Sequence, residues 1–156
     1  EESFVSDYIT TIGIDYGVKK VNMKDQKVLA INIFDLSGDD DYKLIRKDYI
    51  SDAIGVLLIF DVNIKSTFDN IAKWEREAES NGLSLRKCTV LLIGNKLDLK
   101  NRREVPSNTA KEFAKNRGYT YFETSARTGA GVNETFQYLF DSMYVKAVEQ
   151  RSRYLY

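Results

Sequence analysis

Asn95, Lys96 and Asp98 form an NKxD tetrapeptide directly after the apolar run TVLLI at residues 89–93. One carboxylate at Asp98 can accept two parallel hydrogen bonds from the N1–H and N2–H2 edge of a guanine. Adenine offers no such donor pair and would leave the charge unpaired, at a cost of several kcal/mol. In that arrangement Asn95 ties neighbouring loops together and the Lys96 stem covers base and ribose. Taken alone, the tetrapeptide also reads as an Asn-Lys turn with a solvated carboxylate. After YTYF at residues 119–122 comes ETSAR at 123–127, where the Ala126 N–H is placed to donate to guanine O6. By itself this is a common Ser/Thr loop. After VLAINIF at residues 28–34 comes DLSG at 35–38, a DxxG. Its Asp35 suits Mg²⁺ held through water, and its Gly38 is small enough for the amide to approach a terminal phosphate. Upstream, the Thr11 hydroxyl could sit on the same ion or belong to an ordinary loop threonine.

The elements that must position these residues follow from composition and periodicity. The chain has 156 residues, 43% of them hydrophobic, with nine Gly and one Pro, which predicts a single compact domain over 1–156. Twenty-three basic residues balance twenty-three acidic ones, so the broad positive field of a nucleic-acid-binding domain is absent and nucleic acid is disfavoured as a partner. The longest apolar run, residues 53–60, is far short of the about 20 that a spanning helix needs, and no signal stretch opens the chain. One Cys, Cys88, suits a reducing compartment, so a cytoplasmic location is expected. The absence of His excludes Ser-His and Cys-His nucleophiles, HExxH zinc helices and any imidazole base.

VKKVNMK at residues 18–24 and VLAINIF at 28–34 flank Asp25-Gln26-Lys27 and read as a β-hairpin. The second strand is apolar on both faces except at Asn32, so burial on both sides is expected, with a hydrogen-bond partner for Asn32. IGVLLIF at 54–60 and TVLLI at 89–93 fit parallel strands covered on both sides, and YTYF a last strand. Helical periods run over 66–81, from Pro106 to a stop at Gly118, and from Val132 onward. The order is α/β, and in such sheets ligands bind beyond the carboxyl ends of the strands, where all of these motifs fall.

Taken in order, Thr11, residues 35–38, residues 95–98 and Ser125-Ala126 resemble the small GTPases of the Ras superfamily, most closely the Rab-like branch. TTIGIDYGVKKV is similar to that family's switch I and following strand, DLSG to its switch II start, and GNKLDL and YFETSARTGAGVNETF to its guanine loops and last helix. The likeness runs from about Phe4 to Val148. It implies a three-layer, mostly parallel sheet with helices on both faces, a P-loop NTPase-like G domain. It further implies GTP/GDP and Mg²⁺ as cofactors, with guanine held by Asn95, Lys96, Asp98, Ser125, Ala126 and Arg127. Thr11 and Asp35 then serve Mg²⁺, and Thr11 and Gly38 sense the γ-phosphate. Effector and regulator proteins would read switch segments at about 4–16 and 38–49. IDYGVKKV and the last-helix motif are also similar to Rab-like GTPases that carry a J domain, which needs an HPD triplet.

The departures from the pattern carry expectations of their own. No GxxxxGK[ST] occurs in these residues, so the family's first strand, phosphate loop and first helix are expected upstream of Glu1. Losing four charge-assisted hydrogen bonds would forfeit roughly 6 to 12 kcal/mol, so the 156 residues alone should hold nucleotide negligibly. Asp39 replaces the Gln that orients the attacking water, and a carboxylate there repels the γ-phosphate, so any GTP hydrolysis should be slow. The acidic run Asp39, Asp40, Asp41 is expected in a mobile loop, solvated or facing a cation or basic partner. Arg127 stands where Lys is usual. Prenylated cysteines typical of the Rab-like branch are not found here, so any membrane contact would be peripheral and depend on a lipidated tail beyond Tyr156. Two functions remain: a guanine-nucleotide switch in signalling or vesicle traffic, or a pseudo-GTPase scaffold that never cycles.

Overall fold

A computed structural model describes residues 9–23, 25, 27–99 and 102–153, and their contacts divide the chain into two compact units, Glu1–Asp52 and Ala53–Tyr156. Residues 4–8 of the first switch segment, Lys24 and Gln26 of the hairpin turn, and the terminal residues 154–156 lie outside the described residues.

In the first unit β1 (Ile14–Asn22) pairs antiparallel with β2 (Val28–Leu36), starting four residues earlier than the apolar pattern alone places it. Leu29, Ile31 and Ile33 are half-buried, but Val28, Ala30, Asn32 and Phe34 on the opposite face are exposed. The expected burial on both faces is therefore corrected: a sheet two strands wide offers no second layer of its own to cover the other side. Asn32 has a partner all the same, its Oδ1 accepting from the Tyr16 hydroxyl at 2.9 Å. The acidic run is exposed to solvent as expected, but it starts a helix rather than forming a loop. Asp39 accepts the Asp41 N–H at 3.0 Å and caps a 3₁₀ turn, Asp40–Tyr42, which leads into α1 (Lys43–Ile50). An Asp followed by acidic first-turn residues is a helix start, because the carboxylates meet unsatisfied N–H groups and the positive end of the dipole.

In the second unit β3 (Gly55–Asp61), β4 (Thr89–Asn95) and β5 (Thr120–Glu123) form a parallel sheet in that order. Central β4 is buried from Thr89 to Gly94. α2 (Lys65–Asp69), α3 (Ile71–Ser80), α4 (Ser107–Arg117) and α5 (Val132–Arg153) flank it. Side-chain alternation assigns the faces: Phe60 meets Phe68 of α2 and Tyr121, while Phe122 meets Tyr138 of α5. This is the mixed α/β fold, a parallel sheet between helices, that the strand-helix order implies. The period over 66–81 yields two helices, because at Asn70 the backbone tightens and the Lys73 N–H bonds to the Asn70 carbonyl only three residues back. Pro106 precedes α4, and Gly118 ends it with φ 71°.

Gly131 opens α5 with φ +71°, and a Cβ there would stand 2.3 Å from the Glu123 carbonyl oxygen at the end of β5. That backbone approach seats the loop between β5 and α5. Gly131→Ala should lower the free energy of unfolding by about 2–3 kcal/mol, read from urea denaturation against wild type.

Candidate functional site

Adjacent parallel strands end at the same edge of a sheet, so β4 and β5 deliver their following loops side by side. The two loops are joined by backbone: Leu97 N–H donates to the Thr124 carbonyl at 3.1 Å and Thr124 N–H to the Gly94 carbonyl at 2.9 Å. Side chains complete the joint. Asn95 Oδ1 accepts from the Thr124 hydroxyl at 3.2 Å and from the Ala126 N–H at 3.1 Å. The Ser125 hydroxyl, 1% exposed, donates to Asp98 Oδ1 at 2.6 Å and accepts the Thr128 N–H at 3.1 Å. Arg127 Nη1 stands 3.9 Å from Asp98 Oδ2, and its side chain is mostly exposed. All six residues named for the guanine base thus lie on one pair of loops. Ser125 orients the Asp98 carboxylate, and the Ala126 N–H is directed to Asn95.

Lys96 has φ 67° and is, among the described residues, the one non-glycine with positive φ. Such a conformation costs of order 1–2 kcal/mol and persists where the surroundings over-determine it. Here the carbonyl of Lys96 accepts from Asn63 Nδ2 at 3.3 Å, and its ammonium pairs with Asp61 Oδ2 at 2.8 Å. Asp61 Oδ1 in turn accepts the Asn63 N–H and Nδ2, both at 2.9 Å. Burial pushes the Asp61 carboxyl up, but hydrogen bonds from Lys96 and Asn63 outweigh it and hold it below the usual carboxylate range. Sequence reasoning missed this brace, although Asp61 and Asn63 follow the run at 54–60 and so meet the strand-end rule applied to the other loops.

A second brace was also missed. Arg103 grips Glu123 with two parallel hydrogen bonds of 2.8 and 3.0 Å, Tyr121 donates to the same carboxylate at 2.7 Å, and Arg103 also reaches the Val105 carbonyl at 3.1 Å. This bidentate pair locks the end of β5 to the segment that follows the NKxD turn. Burial raises the Glu123 carboxyl, and the bonds from Arg103 and Tyr121 override it and lower it; burial and the Glu123 bond push the Tyr121 phenol up.

The remaining candidates, Thr11, Asp35, Gly38 and Asp39, fall in the first unit. The Thr11 hydroxyl donates to Asp35 Oδ2 at 2.7 Å, bringing together residues 24 positions apart. Two hard oxygen donors suit Mg²⁺, which keeps waters and takes phosphate oxygens to fill its octahedron. Among the described residues no group of three or more acidic, His or Cys side chains is arranged to hold a metal. One oxygen of the exposed Asp39 carboxylate caps the Asp41 N–H. Tyr16, Phe34 and Tyr49 meet in series as tilted ring pairs with centroids 5.1 Å apart in each pair and stay 55%, 40% and 43% exposed. Phe34 reads as core in the sequence and is instead the middle of an exposed aromatic patch.

The profile of the Ras family matches residues 1–145. The chain is similar to proteins named DnaJ homolog subfamily C member 27: 38% identical over 146 residues to that of Danio rerio, 38% over 146 to that of Bos taurus, and 37% over 147 to that of Homo sapiens. Each match covers 92% of this chain and 53% of the relative, so the chain spans about half the length of the curated relatives it matches. With no His among the 156 residues, an HPD triplet is not part of them.

Folding lowers the Asp61 and Glu123 carboxyls from their ordinary values of 3.8 and 4.5. A lowered acid contributes stability that is complete above its ordinary value and lost as pH falls through its folded value. The urea midpoint should therefore hold steady above about pH 5 and fall below about pH 4, and Glu123→Gln should flatten that decline. An equally steep acid decline in the variant would show that the brace does not titrate this way.

Proposed function

The chain belongs to the Ras family, and on that premise we propose that it is a Rab-like guanine-nucleotide switch, with GTP or GDP and Mg²⁺ as its cofactors. The observation that carries this reading is the pair of joined loops in which Ser125 holds Asp98 at 2.6 Å and Asn95 holds Ala126 at 3.1 Å. A carboxylate fixed at one oxygen keeps lone pairs on both for the N1–H and N2–H2 donors of guanine. When a base enters, the Ala126 N–H exchanges Asn95 for the base's O6. The Lys96 stem, turned by its positive φ and anchored at Asp61, covers the base and ribose. Thr11 and Asp35 provide oxygens for Mg²⁺, whose role is to neutralise charge on the β- and γ-phosphates.

The phosphate loop of the family pattern is not among the 156 residues. Effectors and regulators engage segments at about 4–16 and 38–49, and the exposed rings of Tyr16, Phe34 and Tyr49 supply an apolar anchor for such a partner. A cytoplasmic setting in signalling or vesicle traffic follows from the same family reading; no described helix is long and apolar enough to cross a membrane.

A second reading, a scaffold that binds without cycling, is favoured by one observation. Asp39, at the position where a water-orienting Gln is usual, accepts the Asp41 N–H at one of its carboxylate oxygens. A group so engaged, and negatively charged, is poorly suited to orient a nucleophile beside phosphate.

Two experiments on the full natural chain test these readings. Asp98→Asn presents an amide donor where guanine also donates but where xanthine carries a carbonyl. It should weaken guanosine diphosphate binding by about a hundredfold and improve xanthosine diphosphate binding, measured by calorimetry. Unchanged guanosine affinity would remove Asp98 from the base site. Phosphate release from guanosine triphosphate should be slow and should rise by about tenfold in Asp39→Gln. No release from either protein, with nucleotide still bound, would favour the scaffold.

A further inference from the structure

Arg46 in α1 is 0% exposed. Taking a guanidinium out of water is costly unless its donors are met, so what it holds is informative. Its Nη1 donates to the Ser37 carbonyl at 2.8 Å and also to the Asp39 carbonyl. These two carbonyls flank Gly38, the last residue of DxxG.

The peptide plane then fixes a direction. The Ser37 carbonyl and the Gly38 N–H belong to one peptide unit, and in a trans peptide they point opposite ways. Tying the carbonyl to a buried guanidinium turns the Gly38 N–H away from it. Gly38 is exposed, and among the described residues its N–H has no hydrogen-bond partner. Its neighbours are secured on both sides. Ser37 N–H donates to the Gly13 carbonyl at 2.9 Å, Asp39 N–H to the Ser37 hydroxyl at 3.3 Å, and Asp39 caps Asp41. One amide is left presented between two fastened residues, the kind of preorganised donor that needs no rearrangement to meet an anion.

We propose that Arg46 is a positioning residue that aims the Gly38 amide at the terminal phosphate of a bound guanosine triphosphate, and so sets the preference between triphosphate and diphosphate. This rests on the switch reading, in which Gly38 senses that phosphate. A diphosphate has no group at that position, so Arg46 acts on triphosphate affinity alone.

The test compares a non-hydrolysable guanosine triphosphate analogue with guanosine diphosphate, in the full natural chain with Mg²⁺, by calorimetry. Arg46→Ala should weaken the analogue by about tenfold and leave diphosphate affinity within about twofold. Arg46→Lys keeps a charged donor nitrogen on a shorter stem and should fall between wild type and Ala, which preserves the test if the Ala variant does not fold. Equal losses for both nucleotides would assign Arg46 a purely structural role and overturn the proposal, as would unchanged affinity for both. Wild-type protein that binds neither nucleotide would overturn the switch reading itself and the proposal with it. Wild-type protein that binds both without a difference in Kd would overturn only the sensing role of Gly38 and the aim assigned to Arg46.

Discussion

The hydrogen bond from Ser125 to Asp98 joins two loops across 27 residues of sequence, and the arrangement of the NKxD and SAR turns depends on it. A carboxylate on an exposed turn samples many rotamers, and ordering it costs conformational entropy each time a ligand binds. A buried hydroxyl that holds one of its oxygens removes that cost in advance. It also explains why Ser, rather than a larger polar residue, stands at 125: 1% exposure leaves room for a hydroxyl that both donates to Asp98 and accepts from Thr128.

Strain and charge around that joint reinforce each other. Lys96 sits in a left-handed conformation that Asn or Gly would adopt more readily, and three contacts keep it there: Asn63 on its carbonyl, Asp61 on its ammonium, and the Leu97–Thr124 backbone bond just beyond. The Arg103–Glu123 pair performs the matching task at the end of β5, and its fork geometry resists rotation in a way one Lys could not. Both carboxylates are buried enough that burial opposes their charge, and both are held charged by specific donors. These ion pairs position the loops and, being partly exposed, add only modestly to stability.

The first unit shows the same kind of fastening around its DxxG turn. Thr11 and Asp35 meet across the hairpin, and the turn after Asp35 is fastened at Ser37 and Asp39 while Gly38 remains open. The aromatic series Tyr16, Phe34, Tyr49 crosses from β1 through β2 to α1 and keeps substantial apolar area in solvent. A sequence pattern records only that such residues are apolar. It reads Phe34 as core because strand alternation cannot distinguish a face covered by the fold from one available to a partner.

The sequence alone determined the strands and the later helical stretches, the strand-end placement of NKxD, DxxG and SAR, and the exclusion of histidine chemistry, because periodicity and residue type are local properties. It missed α1, whose start lay in an acidic run, and it merged α2 with α3, because a single Asn is a weak interruption. Only the tertiary structure decided which residues brace the motifs. Asp61, Asn63, Arg103, Glu123 and Arg46 carry no motif of their own; their roles arise from contacts between segments distant in sequence or from the direction a peptide plane is forced to take. A carboxylate or guanidinium has the same letter whether solvated or holding a loop, and the difference is a matter of where the chain returns to meet it.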